Sequence, residues 1–497
     1  MTAISDVSTY PITDATARQL HRELFGHFID GEVVPSLDGQ TMPIFDPATG
    51  EQVAVAAAGT AADVERAVSS AREAFEDGRW RFLPPLEQER RLRRLAQLID
   101  EHTDEFAELD VIDSGLLRFY TGFIVQFAVD GIDYYSGWPS KLHGTIPAVP
   151  NDFAVYQVRE PVGVVGSIIP WNGPTAGASF GIYPLCAGNS VVLKPAEQTP
   201  MTAVLIAELA LEAGIPPGVL NVVQGVGEVV GAAIVEHPEV DVVSFTGSGP
   251  TGRAIQAAAA ARVKRTCLEL GGKSPQIVFG DADLEAASAA IMSGVWGASG
   301  QVCTCGTRVL VHESVYDEVV DRVVEGSRDM RIAGGFDPES AVGPLVSAEQ
   351  LERVQHYVSI GQDEGARLAL GGQRHGEVGY FHQPTVFTDV TNDMRIAQEE
   401  IFGPVMSVLT FSDEAEAYRI ANDVEFGLAA GVWTADLSRA HRAARALKTG
   451  TVWVNTYQMV YPSVPYGGVK QSGHGRNLGE ESLADFTQTK SIWMKVS

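Results

Sequence analysis

A cysteine and a glutamate, each close to glycine residues, are suited to a two-stage acyl chemistry. Glu269 occurs in the run Leu-Glu-Leu-Gly-Gly-Lys, and Cys303 follows later in Gly-Gln-Val-Cys. A thiolate is a strong nucleophile that forms a covalent intermediate, and a separate carboxylate can then deprotonate water to release the product. This pair of side chains therefore indicates an enzyme.

The composition limits the partners and the compartment. The 497-residue chain has 36 basic and 63 acidic side chains, and its net charge of −27 should repel nucleic acid and anionic membranes. Four cysteines in so long a chain indicate a reducing compartment, and neither Cys-x-x-Cys nor His-Glu-x-x-His occurs to indicate a metal site. The polar segment 1–20 lacks the apolar region of a signal peptide, and no apolar run is long enough to span a bilayer. We therefore expect a cytoplasmic protein.

The hydrophobic pattern predicts two wound α/β domains. Apolar residues at helical spacing predict a helix over 64–75, which Gly78 ends, and a longer helix over about 86–109. From Val162, short Val/Ile-rich strands alternate with helices, a pattern typical of parallel sheets covered on both faces. The predicted strands are 162–169, 190–194, 219–223, 240–246 and 266–270 in the first domain, and 276–279, 309–312, 405–411, 429–434 and 451–455 in the second.

The two reactive residues lie on opposite sides of the predicted domain boundary. Glu269 ends the last strand of the first domain, and Cys303 follows the first helix of the second. Active-site clefts commonly form between domains. The domain boundary near residue 272 is therefore the expected location of the site.

A glycine-rich turn gives a competing interpretation of Glu269. Residues 247–252 match the dinucleotide fingerprint Gly-x-Gly-x-x-Gly, and Glu269 follows at the distance of a ribose-binding acid. The turn follows the fourth strand, however, whereas the fingerprint belongs to the first strand-to-helix turn, here residues 170–174. Glu197, after the second strand, is the acid expected to bind both ribose hydroxyls and to repel a 2′-phosphate, which favours NAD over NADP. The 247–252 turn is either a pyrophosphate site at a helix N-terminus or a tight turn that only packs.

Together these segments closely resemble the aldehyde dehydrogenase superfamily, NAD(P)-dependent enzymes that oxidise aldehydes to carboxylic acids. The resemblance extends over residues 28–493, and the motifs are specific because they occur together in this order. Besides the Glu269 and Cys303 motifs, they are Pro-Trp-Asn at 170–172, Lys-Pro-Ala-Glu at 194–197, Phe-Thr-Gly-Ser at 245–248, Glu-Glu-Ile-Phe-Gly-Pro at 399–404 and Pro-Tyr-Gly-Gly-Val-Lys at 465–470.

The resemblance implies the role of each catalytic residue. Cys303 would be the nucleophile, and the Asn172 side-chain amide and the Cys303 backbone N–H would form an oxyanion hole. An amide suits this role because it donates hydrogen bonds without titrating. After hydride transfer to the nicotinamide, Glu269 would activate the water that hydrolyses the thioester. Because no basic residue is near Cys303 in the sequence, its activation must come from the fold or the bound cofactor.

The resemblance also implies a cofactor site for NAD. Each of these residues has a structural alternative, since Trp171 could belong to the core and Glu400 could be a solvated surface residue. The implied residues are Lys194 and Glu197 at the adenosine ribose, Gly247 and Ser248 at the pyrophosphate, Glu400 at the nicotinamide ribose, and Trp171 and Phe402 as walls of the nicotinamide pocket.

Departures from the common family pattern concern the substrate and the other thiols. Gly173 replaces a bulky side chain that many relatives carry, which would enlarge the substrate tunnel and favours a bulky or aromatic aldehyde. Cys305 could be a packed side chain, a reversible disulfide partner of Cys303 or a spare thiol, and we favour packing. Cys186 and Cys267 lie in apolar contexts that predict core positions.

The predicted fold is α/β, with two doubly wound domains and a small β oligomerisation motif. A Rossmann-like NAD-binding domain covers 1–140 and 160–271, a catalytic domain covers 272–471, and the oligomerisation motif covers 141–159 together with the tail 472–497. The tail resembles an edge strand over 487–495, which is a liability unless it is paired. We therefore expect a homodimer or a homotetramer.

Three alternatives to a hydrolytic, NAD-dependent enzyme stay open at this point. An acylating relative would pass the thioester to coenzyme A, but it would not need Glu269 to make hydroxide. A catalytically silent scaffold should have lost Cys303, Glu269 or Asn172, and all three are present. A thioesterase or esterase would use Cys303 without NAD.

Overall fold

The computed structural model describes residues 10–496. Residues 1–9 lie outside the described part. They belong to the segment in which no signal peptide is predicted, and they begin the predicted NAD-binding domain. Residue 497, the last of the predicted tail, also lies outside the described part. Within residues 10–496 no helix is both long enough and apolar enough to cross a membrane.

The strands have the following bounds in chain order. They are β1 (His27–Ile29), β2 (Glu32–Val34), β3 (Thr41–Phe45), β4 (Gln52–Ala57), β5 (Phe153–Pro161), β6 (Val164–Ile168), β7 (Ser190–Lys194), β8 (Leu220–Val222), β9 (Val242–Thr246), β10 (Arg265–Glu269), β11 (Pro275–Val278), β12 (Arg308–His312), β13 (Arg367–Leu370), β14 (Thr385–Thr388), β15 (Val405–Phe411), β16 (Phe426–Gly427), β17 (Ala429–Trp433), β18 (Thr451–Val454), β19 (Val469–Lys470), β20 (Gly473–His474) and β21 (Thr487–Lys495).

The α-helices cover both faces of the sheets that these strands form. They are α1 (Asp14–Leu20), α2 (Ala61–Glu76), α3 (Pro85–Glu101), α4 (Thr103–Ser114), α5 (Arg118–Ser136), α6 (Pro174–Ile182), α7 (Met201–Glu212), α8 (Ala232–Glu236), α9 (Gly249–Ala260), α10 (Leu284–Trp296), α11 (Tyr316–Arg328), α12 (Ala348–Asp363), α13 (Arg395–Gln398), α14 (Glu414–Asn422), α15 (Leu437–Ala446) and α16 (Ser482–Asp485).

The first sheet has the strand order of a doubly wound domain. Its order is β2-β1-β8-β7-β6-β9-β10-β20, and the five strands from β8 to β10 run parallel. The first parallel strand, β6, lies between the second, β7, and the fourth, β9, so the winding direction reverses there. Sheets of this kind bind ligands at such a reversal, beside the carboxyl ends of the strands.

The second sheet confirms the prediction of a second α/β domain. Its order is β13-β14-β15-β12-β11-β17-β18, and every pair is parallel except β13 with β14. Alternate residues of a strand pack into separate cores on the two faces of a sheet, as Val164 and Val165 of β6 do in the first domain. Strands buried on both faces form continuous apolar runs, which is why the sequence predicts them well.

A two-stranded ribbon stands apart from both sheets. The strand predicted over 487–495 is β21, and it pairs antiparallel with β5 along its whole length. In the same predicted tail, β20 pairs instead with β10 at the edge of the first sheet. The limits of the predicted domains stay a proposal.

One predicted helix is wrong in its extent. The segment 86–109 forms two helices, α3 and α4, because the chain leaves helical geometry at His102 (φ −109°, ψ 20°). Every residue of α4 from Glu105 to Ser114 is buried, so this helix has no apolar stripe that would reveal its ends. The helical segment between β8 and β9 begins as a π-helical turn at Gly227–Gly231 and continues as α8.

Candidate active site

A cleft of about 540 Å³ opens at the winding reversal of the first sheet and faces the second domain. This volume lies within the range of small-molecule sites. The cleft holds eight of the predicted site residues: Trp171 and Asn172 after β6, Gly247 and Ser248 after β9, Glu269 at the end of β10, Cys303, Glu400 and Phe402.

The loop that carries Cys303 has an unusual and well-fastened backbone. Ala298 and Ser299 have positive φ angles of 49° and 55°, and the Ser299 hydroxyl donates to the Gly343 carbonyl at 2.8 Å. The Gln301 side-chain oxygen accepts from the Val346 N–H at 2.9 Å. At Gly300 a Cβ would lie 2.1 Å from the Gly403 carbonyl oxygen, so only glycine fits there. These contacts hold the thiol at the cleft.

The Cys303 thiol is half-buried, and its electrostatic surroundings favour the neutral form. Burial raises the pKa of Cys303 to about 11, and the charges of Glu400 and Glu269 act in the same direction. Hydrogen bonds from the Tyr466 hydroxyl, 3.1 Å from Sγ, and from the Thr304 backbone oppose this shift in pKa. The neutral thiol is therefore favoured, and the two hydrogen bonds offset only part of the effect of burial and of the two carboxylates.

Glu269 has the environment of a carboxyl group that must titrate above its ordinary range. It is 3% exposed, and burial raises its pKa well above 4.5, with a smaller contribution in the same direction from Asp485. The Arg476 charge and the Gly468 N–H oppose the change in pKa. At Gly467, where φ is +156°, a Cβ would lie 2.4 Å from Glu269 Oε1. A carboxylate with a raised pKa is a stronger base than an ordinary carboxylate and is suited to deprotonating water.

Asn172 connects the first domain to the nucleophile loop. Its Nδ2 donates to the Gln301 carbonyl oxygen at 2.8 Å, two residues before Cys303. A side-chain amide has two N–H donors, so a second proton stays available for a ligand in the cleft. The contact also fixes the distance between Asn172 and the backbone that carries the thiol.

Gly247 and Ser248 form the N-terminus of α9 at the cleft. The Gly247 N–H donates to the Glu269 carbonyl at 3.0 Å, and the Ser248 hydroxyl accepts from the Thr251 N–H at 3.3 Å. A helix N-terminus has partial positive charge and stabilises anions. The rings of Trp171 and Phe402 also line the cleft and meet edge to face, with their centroids 5.2 Å apart.

Glu400 lies against the backbone that follows Glu269. Its Oε1 accepts from the Gly272 N–H at 3.1 Å, and a Cβ at Gly271 would overlap the carboxylate at 2.1 Å from Oε2. Burial raises the pKa of Glu400 to about 7. The carboxyl group therefore lies inside the cleft and is not a solvated surface group.

Lys194 and Glu197 are not among the residues that line this cleft. Lys194 is the last residue of β7, where it pairs with Ile168 of the neighbouring β6, and Glu197 follows the strand. The buried Lys194 ammonium donates to the Pro195 carbonyl at 2.7 Å and lies 3.4 Å from Glu197 Oε2. The Glu197 side chain is 37% exposed, so its carboxylate is accessible beside the winding reversal.

Comparisons with known proteins now decide the family. A family model described as "Aldehyde dehydrogenase family" matches residues 34–492. The chain belongs to the aldehyde dehydrogenase family. It is therefore an oxidoreductase that acts on aldehydes, and the resemblance predicted from the motifs is confirmed.

The relatives of this aldehyde dehydrogenase cover almost its full length. The putative aldehyde dehydrogenase DhaS of Bacillus subtilis is 44% identical over 94% of this chain and 95% of its own. Retinal dehydrogenase 2 of Homo sapiens is 42% identical over 94% of this chain and 91% of its own. A solved NAD⁺ complex of an aldehyde dehydrogenase from Bacillus cereus has a TM-score of 0.96 at 43% identity, and the match covers 98% of this chain and 99% of that one.

The other thiols of the enzyme lie in packed environments. Cys305 is 5% exposed, and Cys186 and Cys267 are also buried, as the sequence predicts. All four cysteines are free. Within residues 10–496 no group of three or more His, Cys, Asp or Glu side chains could hold a metal ion.

Two residues beside the reactive groups are not among the predicted site residues. Tyr466 belongs to a family motif, but its contact with Cys303 joins residues far apart in the chain, and no local pattern predicts it. Lys273 follows the Glu269 motif, and burial lowers its pKa to about 7 beside Glu400. The position of Lys273 in the Glu269 motif could have identified it as a site residue. The sequence alone does not predict that its ammonium group is buried.

Proposed function

We propose that this enzyme oxidises an aldehyde to a carboxylic acid with NAD, through a thioester on Cys303 that water hydrolyses. The proposal rests on one observation: Cys303, Glu269 and Asn172 line the same cleft, at the winding reversal of a doubly wound sheet. The same cleft supplies a nucleophile, a buried base and an amide donor. Each is needed once in a hydrolytic oxidation of this kind.

The residues present fit NAD. The N-terminus of α9 offers positive potential for a pyrophosphate at Gly247 and Ser248, and Glu197 offers an accessible carboxylate for a ribose. Trp171 and Phe402 would enclose the nicotinamide, and Glu400 would bind its ribose. The relative from Bacillus cereus was solved as an NAD⁺ complex, which supports the same cofactor here.

In the first half of the reaction the Cys303 thiolate attacks the aldehyde carbon. A carbon–sulfur bond forms, and the π electrons of the carbonyl move to its oxygen. The free N–H of Asn172 and the Cys303 backbone N–H donate to this developing oxyanion, and one such donor is worth about 3–4 kcal/mol. NAD, when bound, supplies the acceptor for the hydride that leaves the carbon.

In the second half Glu269 works on the thioester that remains on Cys303. The carboxylate removes a proton from water as the water oxygen attacks the acyl carbon. The carbon–sulfur bond then breaks, the thiolate leaves, and the carboxylic acid is released. Glu269 must be ionised at the start of this step. Because burial raises its pKa, this step depends on pH.

A panel of aldehydes tests the proposed function. With NAD present, we expect NADH and the carboxylic acid in equal amounts, whether or not coenzyme A is added. Acyl-coenzyme A as the main product would establish the acylating alternative, and silence across aliphatic and aromatic aldehydes would favour a scaffold. Hydrolysis of esters or thioesters with no aldehyde oxidation in the presence of NAD would favour the thioesterase.

The same panel tests a preference for bulky or aromatic aldehydes. A Cβ at Gly173 would have its nearest neighbour, Ile124 Cδ1, at 3.8 Å, so the absence of a side chain there leaves space beside Asn172. Tyr120 and Val302 pack around Ile124 and make this region apolar. We expect a higher kcat/KM for an aromatic aldehyde than for acetaldehyde. The reverse order would exclude bulky or aromatic aldehydes as the preferred substrates.

Replacing Glu197 by Gln should relax the discrimination against NADP. The neutral amide no longer repels a 2′-phosphate, and the ratio of kcat/KM for NAD to that for NADP should fall about tenfold, equivalent to about 1.4 kcal/mol. Glu212→Gln, at the exposed end of α7, removes the same charge and should leave the ratio unchanged. An unchanged ratio in Glu197→Gln would exclude this residue from the ribose site.

The quaternary structure and the compartment are also proposals. The β5–β21 ribbon exposes apolar side chains, with Trp493 58% and Met494 45% exposed, and β5 adds Phe153 at 38%. Such a surface favours association into a dimer or a tetramer, which light scattering distinguishes. Free cysteines favour a reducing compartment such as the cytoplasm.

A further inference from the structure

The hydroxyl group of Tyr466 contacts the sulfur of the nucleophile, Cys303. Its oxygen lies 3.1 Å from Cys303 Sγ, within hydrogen-bond distance of sulfur. Tyr466 is in the segment between β18 and β19, far from Cys303 in the chain. Its backbone carbonyl accepts from the Asn477 N–H at 2.8 Å, and its ring packs against the core of the first domain. The hydroxyl is therefore held in place before any ligand binds.

The contact favours the ionised form of the thiol. In the neutral pair either the sulfur or the phenol oxygen can donate, whereas a thiolate can only accept. A hydrogen bond to the charged form is the stronger one and lowers the pKa of the group that accepts it. The pKa of Tyr466 is itself raised well above 10, chiefly by burial, so the phenol keeps its proton when the thiol has lost its own.

Two carboxylates, Glu400 and Glu269, act by their charge on the Cys303 thiol, and both raise its pKa. Most titratable groups around the sulfur are carboxyls, thiols and phenols: Glu269 from β10, Glu400 after α13, Cys305, Tyr120 from α5, Tyr457 and Tyr466. Lys273 is also close, and its charge lowers the pKa of Cys305, but burial lowers the pKa of this ammonium to about 7 and so weakens its positive charge above neutral pH. The two carboxylates destabilise a thiolate, and the Thr304 backbone N–H and the Tyr466 hydroxyl oppose them. A phenol hydroxyl thus takes the place that a histidine or a lysine has beside many reactive cysteines.

We propose that Tyr466 is a catalytic hydrogen-bond donor that stabilises and orients the Cys303 thiolate for attack on the aldehyde. This inference deepens the proposed function and rests on Cys303 being its nucleophile. Tyr466 transfers no proton in the step. It donates to the sulfur while the thiolate forms its bond to the carbonyl carbon, and the hydrogen bond weakens as the sulfur loses its charge.

Alkylation of Cys303 by iodoacetamide tests the proposal without NAD or aldehyde. The rate is followed by mass spectrometry of the peptide that contains Cys303 and Cys305, with fragment ions separating the two thiols. In Tyr466→Phe, which keeps the ring, the pH midpoint of Cys303 alkylation should rise by about 1. At pH 8 the rate should fall about tenfold, and the difference should close at pH values above both midpoints.

Tyr457→Phe is the matched control. Tyr457 also lies near the sulfur, but its hydroxyl donates to the Thr304 carbonyl oxygen at 2.7 Å. We expect its alkylation rate at pH 8 to stay within twofold of the wild-type rate. An unchanged or faster rate in Tyr466→Phe, or an equal loss in both variants, would overturn the proposal. If the wild-type enzyme formed no NADH, the proposed function would fail while the alkylation profile would still decide the role of the hydroxyl.

Discussion

Replacing Cys303 by alanine should abolish NADH formation and lower kcat by about 10⁶-fold, as expected when a covalent nucleophile is lost. No other thiol can substitute, because Cys305 is 5% exposed and Cys186 and Cys267 are buried in the first domain. The measurement is NADH absorbance with the best aldehyde of the panel, at saturating NAD.

Cys305→Ala is the control for this variant. It removes a thiol two residues away that packs in the protein interior, and we expect it to retain most of the activity. NADH formation by Cys303→Ala at more than about one hundredth of the wild-type rate would contradict the assignment of the nucleophile. Loss of activity in both variants, with Cys303 still reactive toward iodoacetamide in Cys305→Ala, would show that the second thiol also takes part.

Replacing Glu269 by Gln should separate the two halves of the reaction. The amide cannot take a proton from water, so one NADH per active site should form rapidly and turnover should then stall as the thioester accumulates. Rapid mixing with absorbance detection measures this burst. If the variant turned over normally once NAD was raised, Glu269 would be a ribose ligand, as the glycine-rich fingerprint taken literally predicts.

Glu399→Gln is a matched control for Glu269→Gln. Glu399 also lines the cleft, but its carboxylate is held by Arg395 at 2.8 Å and by the Tyr357 hydroxyl at 2.7 Å. We expect this variant to give a linear progress curve without a stalled phase. A burst and stall in both variants would mean that removing any carboxylate of the cleft slows product release.

The acid side of the pH profile should also depend on Glu269. Burial raises its pKa well above 4.5, and the protonated acid cannot activate water. The rate of thioester hydrolysis should therefore rise with pH through this raised pKa and be lost as the pH falls below it. Single-turnover measurements of acid release should show this titration in the wild-type enzyme, and its persistence in Glu269→Gln would assign it to another group.

Buried strands and amphipathic helices were the predictable part of the fold. The predicted strands at 190–194 and 405–411 have the bounds of β7 and β15, because strands buried on both faces are continuous apolar runs. The helix predicted over 64–75 lies within α2 (Ala61–Glu76), whose buried residues recur at helical spacing on one face. In contrast, α4 is buried on every side, so the sequence did not predict the break at His102.

The sequence predicted eight residues that the structure brings together in one cleft, but it did not predict their contacts. Cys303, Glu269 and Asn172 follow from motifs and from positions at strand ends, and the strand order places the 247–252 turn after the fourth parallel strand, as expected. The hydrogen bonds of Glu400 with Gly272 and of Tyr466 with Cys303 join segments far apart in the chain. Such contacts depend on how distant segments of the chain pack together, which no local pattern encodes.

The most direct measurement is the intact mass of Glu269→Gln after mixing with NAD and its best aldehyde. We expect the protein to gain the mass of the aldehyde less two hydrogens, with peptide mapping placing the acyl group on Cys303. Hydroxylamine, which cleaves thioesters, should remove the added mass. NADH formation without an acyl group on Cys303 would contradict the thioester mechanism.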